Sequence, residues 1–191
     1  VALLEVDAVL VEARQVGWGA SGRNGGWCSA LYPGDLATIE RESGSKAAQQ
    51  LAAQLRDRVR TIQSLTEAHT IDCGFQRGGT ITIATNPAHV SRLQRGLDHD
   101  SQWAGSDEPD VWLDKDDTSA KVRMSKNWGS RFSPHCAAVD PWRLTQGLAG
   151  VVIGLGGRIF EGALVSPTAS GVVTESGIAI SAPIVLNCTE A

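Results

Sequence analysis

The stretch between residues 9 and 26 constrains this chain more than any other. Val9-Leu10-Val11 is apolar and mostly β-branched, and it closes on Glu12-Ala13. Residues 17 to 30 then hold five glycines, in the run Gly17-Trp18-Gly19-Ala20-Ser21-Gly22-Arg23-Asn24-Gly25-Gly26 and its continuation. An apolar β-branched run suits a parallel strand covered on both faces. The expected strand is Val6 to Val11, entered from the last turn of a helix at Val1 to Leu4. The glycine loop lets backbone come close to another group.

The rest of the chain alternates helical and strand patterns. Leu51, Leu55, Val59, Ile62 and Leu65 recur at three- and four-residue spacing, which predicts a helix over 46–68 with Arg56, Asp57 and Arg60 off the apolar face. Ser45 is the expected N-cap. Thr80 to Ala84 alternates like a strand entered through Gly78-Gly79. Pro87 opens a helix to about Leu97, and Pro141 opens another to about Leu155, stopped by Gly156-Gly157. Between them, residues 98–117 are rich in aspartate and read as a solvated connection with a short strand at Val111-Trp112-Leu113. Short strands are expected near 158–160, 171–174 and 177–180, followed by the apolar run Ile184-Val185-Leu186. The outline is one α/β domain interrupted by another. Residues 1–30 and 148–191 form the first, and 31–147 the second.

Composition narrows the class. The sequence has 191 residues, 42% hydrophobic and 20% charged, as in an ordinary globular protein. A net charge of -4 argues against nucleic-acid and anionic-membrane partners. Cys28, Cys73, Cys136 and Cys188 are scattered without a C-x-x-C pair, and His69, His89, His99 and His135 show no metal spacing, so no metal site is expected. The cysteines read as reduced thiols of a cytoplasmic protein. No apolar run reaches the roughly 18 residues of a membrane span.

Glu12 and the loop after it carry the chemistry. In a dinucleotide-binding sheet, an acid closing the second strand accepts hydrogen bonds from the adenosine ribose, about 20 residues after the glycine fingerprint that holds the pyrophosphate. Glu12 is only the twelfth residue, so that fingerprint is expected upstream of residue 1. Taken alone, a carboxylate after an apolar strand is more often a solvated loop start than a ribose ligand. The loop tips the balance: Ser21, Arg23 and Asn24 are donors set among Gly19, Gly22, Gly25 and Gly26, suited to phosphate oxygens. Gly154-Leu155-Gly156-Gly157 follows an apolar run but lacks the last spaced glycine, and reads as a helix stop. His135 reads as an ordinary loop or strand histidine.

The segment from Glu12 to Gly26 resembles the FAD-dependent D-amino-acid oxidase/glycine oxidase superfamily, in particular its gamma-glutamylputrescine oxidoreductase-like members. Ile71-Asp72-Cys73-Gly74-Phe75, Gly78 to Ala84, Pro134 to Pro141, Gly162-Ala163-Leu164-Val165 and Leu186 to Ala191 agree in order. The resemblance implies a truncated Rossmann-like FAD-binding domain interrupted by a mixed α+β substrate domain. It implies that Glu12, with Ala13, binds the adenosine ribose. Gly19, Ala20, Ser21, Gly22, Arg23, Asn24, Gly25 and Gly26 would line the pyrophosphate and flavin. Val165 would meet the adenine through its backbone, and Thr189 would lie near the cofactor at the last strand's end. The substrate would be a small amine or amino acid oxidised by hydride transfer to FAD. The chain departs from the pattern in lacking a fingerprint ahead of the acid and in stopping at Ala191, so the isolated chain is expected to be inactive. No residue is assigned a catalytic role. Two other readings stay open: part of an NAD-dependent dehydrogenase, which Glu12 alone fits equally well, and a non-catalytic module that no longer binds cofactor.

Overall fold

The computed structural model describes residues 7–105 and 107–189. In chain order the elements are β1 (Val9–Val11), β2 (Trp27–Ser29), α1 (Leu36–Ser43), α2 (Ser45–Ala68), β3 (Gln76–Arg77), β4 (Thr80–Ile83), α3 (Pro87–Ser101) and β5 (Val111–Leu113). After these come α4 (Lys115–Lys121), β6 (Ser130–Ser133), β7 (Cys136–Ala138), α5 (Pro141–Gly154), β8 (Arg158–Phe160), β9 (Val165–Thr168), β10 (Gly171–Thr174) and β11 (Ala179–Ser181). The chain divides into two compact units. The first comprises Val1–Gly25, Ile71–Cys73 and Pro141–Ala191; the second comprises Gly26–Thr70 and Gly74–Asp140.

The second unit holds two three-stranded antiparallel sheets, in the orders β2-β7-β3 and β4-β6-β5. Helix α2 supplies its spine. The deepest line on α2 is Ala48, Ala52, Val59 and Thr66, while Leu51, Leu55, Ile62 and Leu65 are half-buried. Small side chains lie innermost because α1 packs closely on α2 and Trp103 fills the space against Ala48 and Ala52. The N-cap of α2 is Gly44, at φ 88°, and Ser45 is already helical without a capping bond, contrary to the expected Ser45 cap. Gly44 also ends α1, so one glycine serves two helices, a turn that β-carbons disfavour. Helix α1 is capped by Asp35, whose carboxylate accepts the Ala37 N–H.

The aspartate-rich segment is only in part the solvated connection its composition suggested, and its expected strand forms at Val111–Leu113. Trp103 is 1% exposed, and α3 runs on to Ser101. Three of its carboxylates, Asp100, Asp107 and Asp110, meet arginines, while Asp98, Glu108, Asp114, Asp116 and Asp117 stay exposed. Arg56, expected off the packed face, donates to the Trp103 and Ala104 carbonyls and pairs with Asp107 at 3.0 Å. Arg60 also reaches Asp107, and Arg131 bridges Asp100 and Asp110.

The first unit is built on a two-stranded parallel sheet, with Val9 opposite Arg158 and Val11 opposite Phe160. The strand expected over Val6–Val11 is seen over its last three residues. Val6, like the Val1–Leu4 turn, lies outside the described residues. It is not covered on both faces: Leu10 is 44% exposed. Helix α5 packs against β8 and closes at Gly156, at φ 83°, with the Gly157 N–H donating to the Val152 carbonyl. That geometry makes Gly156-Gly157 a helix stop. A separate antiparallel sheet runs β11-β10-β9. Its strand β9 contains Pro167, whose missing N–H suits an edge.

A second expectation fails in this unit. No strand forms over residues 182–189, so Thr189 does not sit at a strand's end. A strand needs a neighbouring ladder to satisfy its backbone. Ile184 and Leu186 are instead 75% and 74% exposed. Thr189 closes a small turn, its N–H and hydroxyl both donating to the Asn187 side-chain oxygen.

Candidate functional site

Glu12 stands where the β1–β8 ladder finishes. Its N–H donates to the Phe160 carbonyl at 2.8 Å, and its own carbonyl accepts from Ala163 N–H at 3.0 Å. The backbone is thus fixed on both sides. The carboxylate folds forward, Oε1 accepting the Arg14 N–H at 2.8 Å. That contact orients the group and leaves acceptor capacity for further donors. Ala13 beside it is exposed.

The loop that follows is anchored to α5 and to the turn after β8. Val16 N–H donates to the Glu161 carboxylate at 2.7 Å, and the Gln146 amide donates to the Val16 carbonyl at 2.6 Å. The Thr145 hydroxyl reaches the Ser21 carbonyl at 3.3 Å. Residues Ala20–Gly22 form one 3-10 turn packed on α5. Gly17, Gly19 and Gly22 repeat the spacing of a dinucleotide fingerprint, but after the acid rather than before it. The 3-10 turn is too short to present a helix N-terminus.

The glycines divide by purpose. A β-carbon on Gly22 would lie 2.1 Å from the Gly17 carbonyl oxygen, and one on Gly17 would press on the Trp142 ring at 3.1 Å. These two are required by packing. At Gly19 and Gly25 a β-carbon would meet nothing within 4 Å, and neither has positive φ. The fold itself does not demand glycine there. Bare backbone opening onto free space is what a closely approaching ligand needs.

Two guanidiniums gather at the Trp18 ring. The Arg23 guanidinium lies 4.1 Å from the centroid of the Trp18 ring, and that of Arg14 lies 5.8 Å from it. Neither forms an ion pair among the described residues. Ser21, Arg23 and Asn24 are exposed, and the Asn24 amide donates to the Ala20 and Ser21 carbonyls, stiffening the turn. A carboxylate at a strand end, bare glycine backbone and unneutralised guanidiniums form a donor and acceptor set that fits a dinucleotide. The residues in hand therefore suit FAD: an acceptor for ribose hydroxyls and cations for phosphate.

The remaining site residues are placed separately. Val165 opens β9, the edge strand, opposite Thr174. Gly26, at φ 66°, begins the second unit, its carbonyl accepting the Val139 N–H. Sequence reasoning missed Thr145, Gln146 and Glu161, which shape the loop. Trp18 was legible as an aromatic inside a glycine run, which a plain linker would rarely carry. In the second unit, His135 is 5% exposed and bonds the Glu108 carbonyl through Nε2 at 2.7 Å. It borders a cavity of about 40 Å³ with Arg56, Asp100 and Asp110. Cys28 and Cys136 lie on the paired strands β2 and β7; burial pushes both thiols above their ordinary value.

The parallel pair, the terminal acid and the glycine loop are features of an FAD-binding oxidoreductase. The chain belongs to the FAD dependent oxidoreductase (DAO) family, whose sequence profile matches residues 2–191. It is 27% identical over 155 residues to gamma-glutamylputrescine oxidoreductase of Escherichia coli (strain K12), covering 81% of this chain and 36% of that protein. It is 24% identical to a probable oxidoreductase of Haemophilus influenzae, covering 80% and 35%. The chain thus spans about a third of the length of these curated relatives. Among solved structures, glycine oxidase from Bacillus cereus matches with TM-score 0.67 at 22% identity, covering 92% of this chain and 47% of that one. L-Amino acid deaminase from Proteus myxofaciens matches with TM-score 0.72 at 17% identity, covering 92% and 38%. These likenesses show the shared fold. No helix among the described residues is long and apolar enough to cross a membrane.

Proposed function

We propose that this chain carries part of the cofactor-holding face of an oxidoreductase that oxidises an amine or amino acid. Family membership supports the flavin, and the names of the relatives point to amine and amino-acid substrates. The observation that carries the reading is the position of Glu12. It ends the parallel ladder, its carboxylate is turned by the Arg14 N–H, and bare glycine backbone follows at once.

In this reading Glu12 accepts from the ribose hydroxyls, with Ala13 beside it. Gly19 to Gly26 line the pyrophosphate and flavin, Arg23 among them as the cation. Val165 meets the adenine through edge-strand backbone, and Thr189 approaches the cofactor from its turn. Residues 1–30 and 148–191 serve the cofactor, and 31–147 serve the substrate. A bound flavin supplies the hydride acceptor; the chain's own residues bind, orient and balance charge.

Titration of the chain with FAD, followed by flavin fluorescence, tests this. Weak but saturable binding that Glu12→Ala diminishes is expected, with NAD⁺ failing to compete. Binding of NAD⁺ in preference to FAD would transfer the chain to the dehydrogenase reading. Binding of neither would leave a module without cofactor.

A further inference from the structure

Trp18 is an unusual neighbour for two arginines. It is 45% exposed, in a loop whose other side chains are mostly small. Two guanidiniums gathered at one indole repel each other, and no carboxylate among the described residues answers either of them. What the ring offers is selective. A guanidinium lying over an aromatic face engages its π surface, while its five N–H donors point outward in its own plane. A carboxylate partner would have occupied those donors; the indole leaves them free.

We propose that Trp18 is a positioning residue that presents Arg14 and Arg23 together as a clamp for a diphosphate group. This rests on the cofactor reading given above and names the device by which the loop receives the phosphates. Three observations converge on it. Arg23 is held at 4.1 Å and Arg14 at 5.8 Å from the same ring. The backbone at Gly19 and Gly25 opens onto free space. The base of the loop is fixed by Gln146, Thr145 and the Gly22–Gly17 contact, so the ring is carried on a rigid support. A diphosphate presents two anionic centres, and two cations held at one ring answer both. A single phosphate carries less charge and fewer acceptor oxygens for the pair.

The test is calorimetric titration of the 191-residue chain with inorganic pyrophosphate, inorganic phosphate, ADP and FAD. Pyrophosphate and ADP should bind more tightly than phosphate. Trp18→Leu should weaken the diphosphates about fivefold, the loss of exposed cation–π contacts to two arginines, and should erase their preference over phosphate. Trp18→Phe, which keeps an aromatic face, should retain most of both. Arg23→Gln should match Trp18→Leu, and circular dichroism should show all variants folded. Affinity and preference unchanged in Trp18→Leu, or no pyrophosphate binding by the parent chain, would overturn the clamp. FAD bound equally well by parent and Trp18→Leu would remove the clamp and keep the cofactor reading. Pyrophosphate and ADP bound through Trp18 while FAD is refused would keep the clamp and remove that reading. Binding of pyrophosphate but not of ADP or FAD would identify a free diphosphate as the ligand.

Discussion

The two units solve different physical problems. In the second, Ala48, Ala52, Val59, Ala84, Trp103, Cys136 and Ala137 are all buried, and Thr118 and Ser130 share a hydrogen bond of 2.8 Å in its interior. In the first, Cys73 is the one buried hydrophobic residue among those described. Leu10, Phe160, Ile184 and Leu186 are each at least 44% exposed there. A two-stranded sheet has too little surface to enclose a core. Shape in the first unit is held by directed polar contacts, such as Glu161 to Val16 and Gln146 to Val16. The lesson is a separation of duties. Apolar burial stabilises one unit, while hydrogen bonds and glycine packing set the geometry of the other.

The largest expected effect would break the comparison if it failed. Trp103→Ala should destabilise the chain by about 3–5 kcal/mol, as for other buried aromatic truncations, measured by urea unfolding. A loss below 1 kcal/mol would mean that the second unit is not the source of stability. Next comes the first unit's polar site. Glu12→Ala should weaken FAD binding by about 1.5–3 kcal/mol, the value of hydrogen bonds to a charged group, with little change in the unfolding midpoint. A third effect concerns acid. Burial alone would raise the Asp107 carboxyl, but hydrogen bonds and charges from Arg56 and Arg60 outweigh it and hold the group below its ordinary value. A carboxylate so lowered adds stability above its unfolded-state pKa of about 4, lost as the pH falls through the folded one. Asp107→Asn should therefore be less stable at pH 7 and lose less on acidification below about pH 4, which acid titration by circular dichroism would read. The smallest effect belongs to the exposed apolar run. Leu186→Ser should change stability by no more than about 0.5 kcal/mol. A larger cost would show that this surface is covered in solution.

Much of the secondary structure was legible in the sequence, for reasons that differ by element. Helices α2, α3 and α5 announced themselves through long apolar periodicity and through Pro87 and Pro141 at their starts. Strands β1, β4, β5 and β8 were legible as β-branched or apolar runs. Helices α1 and α4 have only 8 and 7 residues, too few for a periodic signal, and depend on the Asp35 and Asp114 caps. The acidic segment misled at Asp100, Asp107 and Asp110 because composition cannot see partners: Arg56, Arg60 and Arg131 reach them from elsewhere in the chain. Burial of β1 was misjudged because the run specifies a strand and not what covers it. At the site, the order of acid, loop and glycines could be read directly. Which glycines are structural could not, since Gly22 is fixed by the Gly17 carbonyl and Gly17 by Trp142.

The pairing of Val9 with Arg158 also has a consequence in time. The partners are about 150 positions apart, and closing such a loop costs about 4–5 kcal/mol of chain entropy when the intervening residues are flexible. Formation of the second unit shortens the effective loop, because most of the chain between β1 and β8 is then already ordered. Folding of the interior unit should therefore precede the ladder on which Glu12 stands. On the ribosome, at roughly 5–20 residues per second, β1 emerges many seconds before its partner exists. The strand that is made early is paired late, and the glycine loop after it takes its shape only once that pairing has formed.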